Sequence, residues 1–367
     1  MAVPDVSVVV PIYNVARYLD QCLRSVREQT LHSIEIICAD DGSTDRSPEI
    51  IAEHAAQDRR ISVFTKPNTG YGDTMNQALA RARGEFIAIV ESDDFADSAM
   101  LESLHGLALA NSADVVKANY FHYWSAGGER DEQVYVVPRG SGCRLVDPRT
   151  AHDVIYAPPS IWSGLYRRSF LQSNDIGFLP TPGASYQDTS FAFKVWATAQ
   201  RAVLTDRAFL HYRQDNASSS IHSLAKAYCV CDEFAEMGAY LRRRPDLPSD
   251  LEAVRQFMRY NTYIWNCDRL DADLRVKFLQ RMSDELLGDE QAGSLDFSLF
   301  DPVRRACAIA IMRSPRDFAA SKAASHGSAL GKARHYLHVG GPSVLLHAAV
   351  SAMHGPKVVP TGVSHGQ

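Results

Sequence analysis

A chain of 367 residues with 46% hydrophobic and 22% charged side chains has the make-up of an ordinary soluble protein and is long enough for two or three domains. Its formal net charge of −5 excludes a general nucleic-acid binder, and seven irregularly spaced cysteines without a C-x-x-C pair exclude a zinc ribbon and a disulfide scaffold. No apolar run nears the roughly 18 residues of a membrane span, and residues 1–5 lack a basic or apolar leader, so a cytoplasmic protein is expected.

The first hundred residues alternate strand and helix. Residues 6–10 read as a short buried strand stopped by Pro11. Leu19, Cys22, Leu23 and Val26 then fall at helical spacing. Residues 34–39 form a second apolar run, and Ser47-Pro48 reads as a helix cap with proline at the first helical position. After a short strand at 61–64, Met75, Ala78, Leu79 and Ala82 mark a helix closed by Gly84, and residues 86–90 give the next strand. This alternation predicts a mostly parallel sheet with helices on its faces. A helix carrying Leu101, Leu104 and Leu107 and a strand over 115–121 follow. The chain is then irregular to about Ser220, and helical from Ala225 with a joint at residues 245–248. The pattern divides it into residues 1–110, 111–224 and 225–367. The last part is basic: residues 302–367 carry eight Lys and Arg against one Asp, a net +7, leaving −12 for the rest.

Chemistry-bearing residues gather where strands end. Asp40-Asp41-Gly42-Ser43 follows one apolar run and Glu91-Ser92-Asp93-Asp94 follows another. In an open α/β sheet, ligands bind beyond the carboxyl ends of the strands. Two such clusters repel unless a cation lies between them, and hard carboxylate oxygens with a diphosphate suit Mg²⁺ or Mn²⁺. Asp40 and Asp41 have the chemistry to accept from a base imide and a ribose hydroxyl, or else form a plain Asp-Gly turn. Pro11-Ile12-Tyr13-Asn14 stands where a dinucleotide fold carries its glycines, so Tyr13 reads either as the wall of a base pocket or as part of a turn. Asn68-Thr69-Gly70-Tyr71-Gly72 before a helix offers backbone N–H groups to a phosphate, or is an ordinary loop. Gln187-Asp188 precedes the apolar stretch 191–196, which makes Asp188 either a helix cap or a general base.

Together these residues resemble the family 2 glycosyltransferases, which have the GT-A fold. Val8-Val9-Val10-Pro11-Ile12-Tyr13-Asn14 looks like that family's opening strand and turn, and Asp40-Asp41-Gly42-Ser43-Thr44-Asp45 like its second signature. Asn76-Gln77-Ala78-Leu79 and Ala82-Arg83-Gly84-Glu85-Phe86 resemble the helix and strand before the D-x-D motif, and Glu91-Ser92-Asp93-Asp94 matches that motif's region. Ile161-Trp162-Ser163-Gly164-Leu165-Tyr166-Arg167-Arg168 and Gln187-Asp188 resemble the acceptor-side strand and the catalytic acidic pair. The likeness covers about residues 5–222 and departs twice: Glu91 stands for the first Asp of D-x-D, and Gln187 for the usual Glu.

The resemblance implies a GT-A-type sheet with a helical C-terminal extension and inverting transfer of a hexosyl unit from a nucleotide sugar, UDP-linked, to a glycan or lipid-linked acceptor. It puts Pro11, Tyr13, Asn14, Asp40, Asp41, Asn68, Gly70, Tyr71, Asn76, Glu91 and Ser92 at the donor, and Trp162 and Gln187 at the acceptor. Asp93, with Glu91 and Asp94, would hold Mn²⁺ or Mg²⁺, and Asp188 would be the base. Two other readings stand beside it: a nucleotide-sugar-binding protein without catalysis, and a metal-dependent phosphatase, whose nucleophile loop would need an acid where Ala39 stands. The +7 region beside Val344-Leu345-Leu346 suggests peripheral contact with an anionic membrane surface, or a solvated helical subdomain.

Overall fold

Contacts within the chain divide it into two units, Met1–His222 and Ser223–Gln367. The computed structural model describes residues 3–216, 227–325 and 328–353. The helical onset expected at Ala225 and the final stretch from Gly355 lie outside these residues.

In chain order the first unit contains β1 (Val6–Ile12), α1 (Ala16–Arg27), β2 (Ile34–Asp40), α2 (Ser47–Gln57), β3 (Ile61–Thr65), α3 (Tyr71–Arg81), β4 (Phe86–Ile89), β5 (Phe95–Ala96) and α4 (Met100–Ala110). There follow β6 (Val115–Trp124), β7 (Arg130–Val134), β8 (Cys143–Val146), β9 (Gly164–Arg167), α5 (Arg168–Ser173), α6 (Gln187–Thr198) and β10 (Ala202–Arg213). The strands form one ten-stranded sheet in the order β3-β2-β1-β4-β9-β6-β10-β5, with β7 on β6 and β8 on β10. Its first half, β3-β2-β1-β4, is parallel as expected. The second half is mixed, because β9 runs antiparallel to both β4 and β6 while β10 is parallel to β6. β1 and β2 are buried along their whole length, the pattern of strands covered on both faces. Leu19, Cys22, Leu23 and Val26 form the buried face of α1, as their spacing predicts.

Three local expectations are corrected. β1 continues through Pro11 to Ile12. The Val9 carbonyl accepts from Val90 N–H (3.0 Å) on the β4 side, so by the two-residue period the missing N–H of Pro11 points the same way, beyond the last β4 residue. Ser47 does not cap α2: its hydroxyl accepts from Val15 N–H (3.1 Å), and Asp45 takes the Ser47 N–H (2.9 Å). Gly84 does not close α3, which ends at Arg81. Its N–H donates to Ser7 Oγ (2.8 Å), and a Cβ there would lie 2.5 Å from Ser7 N.

The second unit is helical: α7 (Cys229–Arg243), α8 (Leu251–Arg269), α9 (Ala272–Gln291), α10 (Pro302–Arg313), α11 (Pro315–Ala323) and α12 (Ala329–Met353). Residues 245–248 join α7 to α8, where the two prolines predicted a break. Phe234, Tyr263 and Phe278 meet edge to face in its core, at 5.7 and 5.2 Å between ring centres. The side chains of Asp271, Asp301 and Ser314 cap α9, α10 and α11. α12 is kinked at Gly340 and Gly341, just before Pro342.

Candidate active site

The parallel register of β2, β1 and β4 brings three carboxyl ends to one edge of the sheet. Ile12 lies opposite Asp40, and Asp41 N–H donates to Ile12 O (2.9 Å). Tyr13, the residue after β1, is 49% exposed there, so its ring is open to a ligand. Asp40 is 1% exposed: Oδ1 accepts from Ser43 N–H (2.9 Å), and Oδ2 has no hydrogen-bond partner among the described residues. A buried carboxylate oxygen left unpaired is costly unless a donor arrives from outside the chain. Pro11 is buried beneath this edge and Asn68 is exposed beside it.

Several residues expected at the donor hold the loops of this edge together. Asn14, at φ 50°, accepts from Thr44 N–H through Oδ1 (2.8 Å) and gives its own N–H to Ser43 Oγ (3.0 Å), so it braces the 40–45 loop. Asp41 holds the next loop: Oδ1 accepts from Thr69 N–H (3.0 Å), Oδ2 from Gly70 N–H (3.0 Å), and Lys66 pairs with it. Three N–H groups of the loop before α3 are thus already paired within the chain. Gly70 and Thr69 donate to Asp41, and Tyr71 N–H goes to Gly183 O (2.9 Å). Glycine is needed at 70 because φ is 103° and a Cβ would come within 2.6 Å of Gly183 N. Asn76 makes a two-bond clasp with the main chain of Phe178, donating to its O and accepting from its N–H, both at 2.8 Å.

The acidic turn after β4 is the electrostatic centre. Tyr71 hydroxyl donates to Glu91 Oε1 (2.6 Å). Burial pushes Glu91 up to about 8; the Tyr71 hydrogen bond opposes this, and the charges of Asp93 and Asp188 add to it. Ser92 is buried. Asp94 Oδ1 accepts from Arg213 N–H (2.9 Å), while its buried Oδ2 has no partner among the described residues. Burial, then Asp93, holds Asp94 well above the usual carboxylate range. Arg213, at the end of β10, binds the turn from behind: Nε donates to Asp93 O (2.9 Å), Nη2 to Gln21 Oε1 (2.6 Å), and the guanidinium stacks over Tyr18 at 4.5 Å. Asn216 donates to Asp93 Oδ2 (2.8 Å).

Three carboxyls in four residues, two of them forced toward the protonated state and one with an orphaned oxygen, fit a divalent cation close by. No group of three or more such side chains among the described residues is arranged to hold a metal ion by itself. A cation bound through one or two carboxylates and completed by substrate phosphates suits this donor set.

Asp188 faces the turn from α6. It does not cap the helix: the N-cap position is Tyr186, at φ 65°, and Asp188 sits in the first turn with Thr189 Oγ1 3.4 Å from its Oδ1. Burial raises its pKa, against the pull of Thr189, of nearby main-chain N–H groups and of Lys117. Its charge helps raise the pKa of Glu91 after β4, Tyr71 on α3, Tyr166 on β9 and Tyr212 on β10. Gln187, expected on the acceptor side, holds the loop that precedes it. It is 2% exposed, and its amide braces the loop before it by donating to Thr181 Oγ1 (3.0 Å) and Gly183 O (3.3 Å) and accepting from Ser185 N–H. Trp162 is 8% exposed, stacked on Tyr212 at 5.0 Å and edge-on to Tyr120 at 4.5 Å.

Sequence reasoning missed Lys117, Arg213 and Asn216. Lys117 was legible: a lysine inside Val115-Val116-Lys117-Ala118 must be buried or break the strand. Burial lowers it to about 7, while Asp188 pulls the other way. Arg213 was hidden because β10 itself went unread.

Residues 7–157 match the profile of Glycosyl transferase family 2. Over 219 residues the chain is 32% identical to the uncharacterized glycosyltransferase EpsJ of Bacillus subtilis, a match covering 58% of this chain and 62% of that protein. A cholesterol galactosyltransferase of Borreliella burgdorferi is 27% identical over 232 residues, covering 60% of this chain and 64% of that one. The chain thus spans less than two thirds of these relatives' own length. Among solved structures, S. aureus TarS 1–349 in complex with UDP, a GT-A protein, superimposes with a TM-score of 0.58 at 20% identity, over 86% of this chain and 89% of that one. The mannosyltransferase PcManGT of Pyrobaculum calidifontis, in complex with GDP-Man and Mn²⁺, gives 0.51 at 18% identity, over 95% and 87%.

Proposed function

Because this chain belongs to glycosyl transferase family 2 through residues 7–157 and its first unit has the GT-A fold, we propose that it is an inverting hexosyltransferase acting on a UDP-linked sugar. The acceptor is a glycan or a lipid-linked glycan in cell-surface polysaccharide or glycoconjugate synthesis. The observation that carries this reading is the convergence on one sheet edge of an exposed ring at Tyr13, an unpaired carboxylate oxygen at Asp40, and the acidic turn 91–94 faced by Asp188.

In this reading Tyr13 lies against the base and Asp40 Oδ2 accepts the imide N–H. Asp93, helped by Glu91 or Asp94, would hold Mn²⁺ or Mg²⁺ together with the donor's phosphates. The chemistry such a cation would supply there is to offset negative charge gathering on the departing diphosphate. The acceptor hydroxyl attacks the anomeric carbon from the face opposite the diphosphate. The new C–O bond forms as the bond to the diphosphate oxygen breaks, and Asp188 takes the hydroxyl proton. A base with a raised pKa takes that proton more readily than an ordinary aspartate. Trp162 presents its remaining edge to the acceptor.

The work belongs at the cytoplasmic face of a membrane. The net charge of +7 over residues 302–367 suggests peripheral attachment there; no helix among the described residues is long and apolar enough to cross a bilayer. A thermal-shift panel of UDP-, GDP- and CMP-sugars with Mn²⁺ tests the donor, because a ligand of the native state raises Tm by mass action. A UDP-sugar should give the largest shift and should be turned over with release of UDP. No shift with any nucleotide sugar would refute the reading, and a shift without UDP release in the presence of glycan acceptors would favour a binding protein.

A further inference from the structure

A strip of aromatic side chains leads away from the acidic turn, on the face of the sheet where Trp162 packs. In β6, Tyr120, His122 and Trp124 share that face by the two-residue period. Tyr212 of β10 pairs in register with His122, so its ring stands on the same face. Trp162 stacks on Tyr212 at 5.0 Å and meets Tyr120 edge to face at 4.5 Å. The His122 ring centre lies 6.1 Å from that of Tyr212 and 6.0 Å from that of Trp124. The strip begins at the acidic turn, because Arg213, the residue after Tyr212, donates its N–H to Asp94 Oδ1 (2.9 Å). The opposite face of these strands is packed on β5: His211 stacks on Phe95 at 4.4 Å, and Phe95 meets Tyr123 edge to face at 4.9 Å. On the strip's own face Tyr212 and Trp124 are half-buried.

Polar groups are set among these rings. His122 is 8% exposed, and its Nε2 is buried with no hydrogen-bond partner among the described residues. A buried ring nitrogen left unpaired is costly unless a partner arrives from outside the chain. In β7, Glu132 pairs in register with His122 and Arg130 with Trp124. Glu132 is exposed, and the Arg130 guanidinium lies over the Trp124 ring at 4.1 Å. A pyranose is amphipathic in the same way, with C–H groups on its flat faces and hydroxyls around its rim. An acyl chain would leave the carboxylate, the guanidinium and the ring nitrogen unmatched. From Tyr120 to Trp124 the strip runs about 13 Å, longer than one pyranose ring.

We propose that this strip is an acceptor subsite: it receives the sugar next to the one being glycosylated, by stacking on the aromatic rings and by a hydrogen bond between His122 Nε2 and a sugar hydroxyl. The acceptor is then an oligosaccharide of at least two sugars rather than a single sugar. Its role as an acceptor site rests on the hexosyltransferase reading, but sugar binding is measurable without turnover.

Saturation-transfer NMR of the full chain with cellotetraose, chitotetraose and maltotetraose, each beside its monosaccharide, reads the site directly. At least one tetrasaccharide should bind about tenfold or more tightly than its monosaccharide, and Trp124→Ala should weaken that binding by on the order of tenfold. His122→Phe, which keeps a flat ring and removes both nitrogens, should weaken it severalfold. The UDP Kd should stay within about twofold in both variants, which separates loss of the glycan site from general damage to the fold. Should His122→Phe fail to fold, Trp124→Ala decides alone, because its ring is only half-buried. No tetrasaccharide binding more tightly than its monosaccharide, or wild-type affinity in folded Trp124→Ala, overturns the proposal. Trp124-dependent binding in a chain that takes up no nucleotide sugar supports the glycan site and removes the transferase reading instead.

Discussion

Residue type and residue task come apart most clearly at Asn76. Its motif suggested donor contact, yet both ends of its amide are consumed by the main chain of Phe178. Replacing it leaves an N–H and a carbonyl unpaired, so Asn76→Ala should lower stability by about 2 kcal/mol while the UDP Kd stays within twofold. Urea unfolding and calorimetry check the two halves; a large rise in Kd with unchanged stability would return Asn76 to the donor site. Glu91 shows the opposite case. Its extra methylene does not withdraw it from the cluster, because the Tyr71 hydroxyl reaches it and its charge still couples to Asp188.

At the scale of elements, the parallel half of the sheet was legible because its strands are short, mostly apolar runs, and two of them, β2 and β4, run into acids. β10 was not. Its twelve residues include Asp206 and Arg207 at a shift in register against β6, which breaks the two-residue alternation that marks a strand. With β10 unread, the arginine at its end could not be seen to brace the acidic turn. The loop before α3 was ambiguous for another reason: glycines that suit a phosphate cradle equally suit two backbones in close approach. At Gly72 an added Cβ would stand 2.1 Å from Leu179 O, so Gly72→Ala should cost about 1–3 kcal/mol through forced separation of α3 from the 179–183 segment. An unchanged urea midpoint would contradict that packing.

At the scale of the whole molecule, charge is divided along the chain, acidic through residue 301 and net +7 beyond it. In the second unit, Leu346 and Val350 are exposed one turn apart on α12, and Arg305, Arg313, Lys332 and Arg334 are exposed on α10 and α12. Each basic side chain near an anionic bilayer contributes about 1 kcal/mol, so the full chain should co-sediment with phosphatidylglycerol vesicles at low salt and release as salt rises. Binding that survives deletion of residues 302–367 would place the contact elsewhere.

The central claim is that Asp188, brought against the acidic turn by α6, removes the proton from the acceptor. Turnover of wild type and Asp188→Asn, measured as UDP release with the donor and acceptor that the wild type uses, tests it alongside UDP affinity by calorimetry. The account predicts a fall in kcat of on the order of a hundredfold or more with UDP binding nearly unchanged. Turnover equal to wild type in a folded, UDP-binding Asp188→Asn would contradict it.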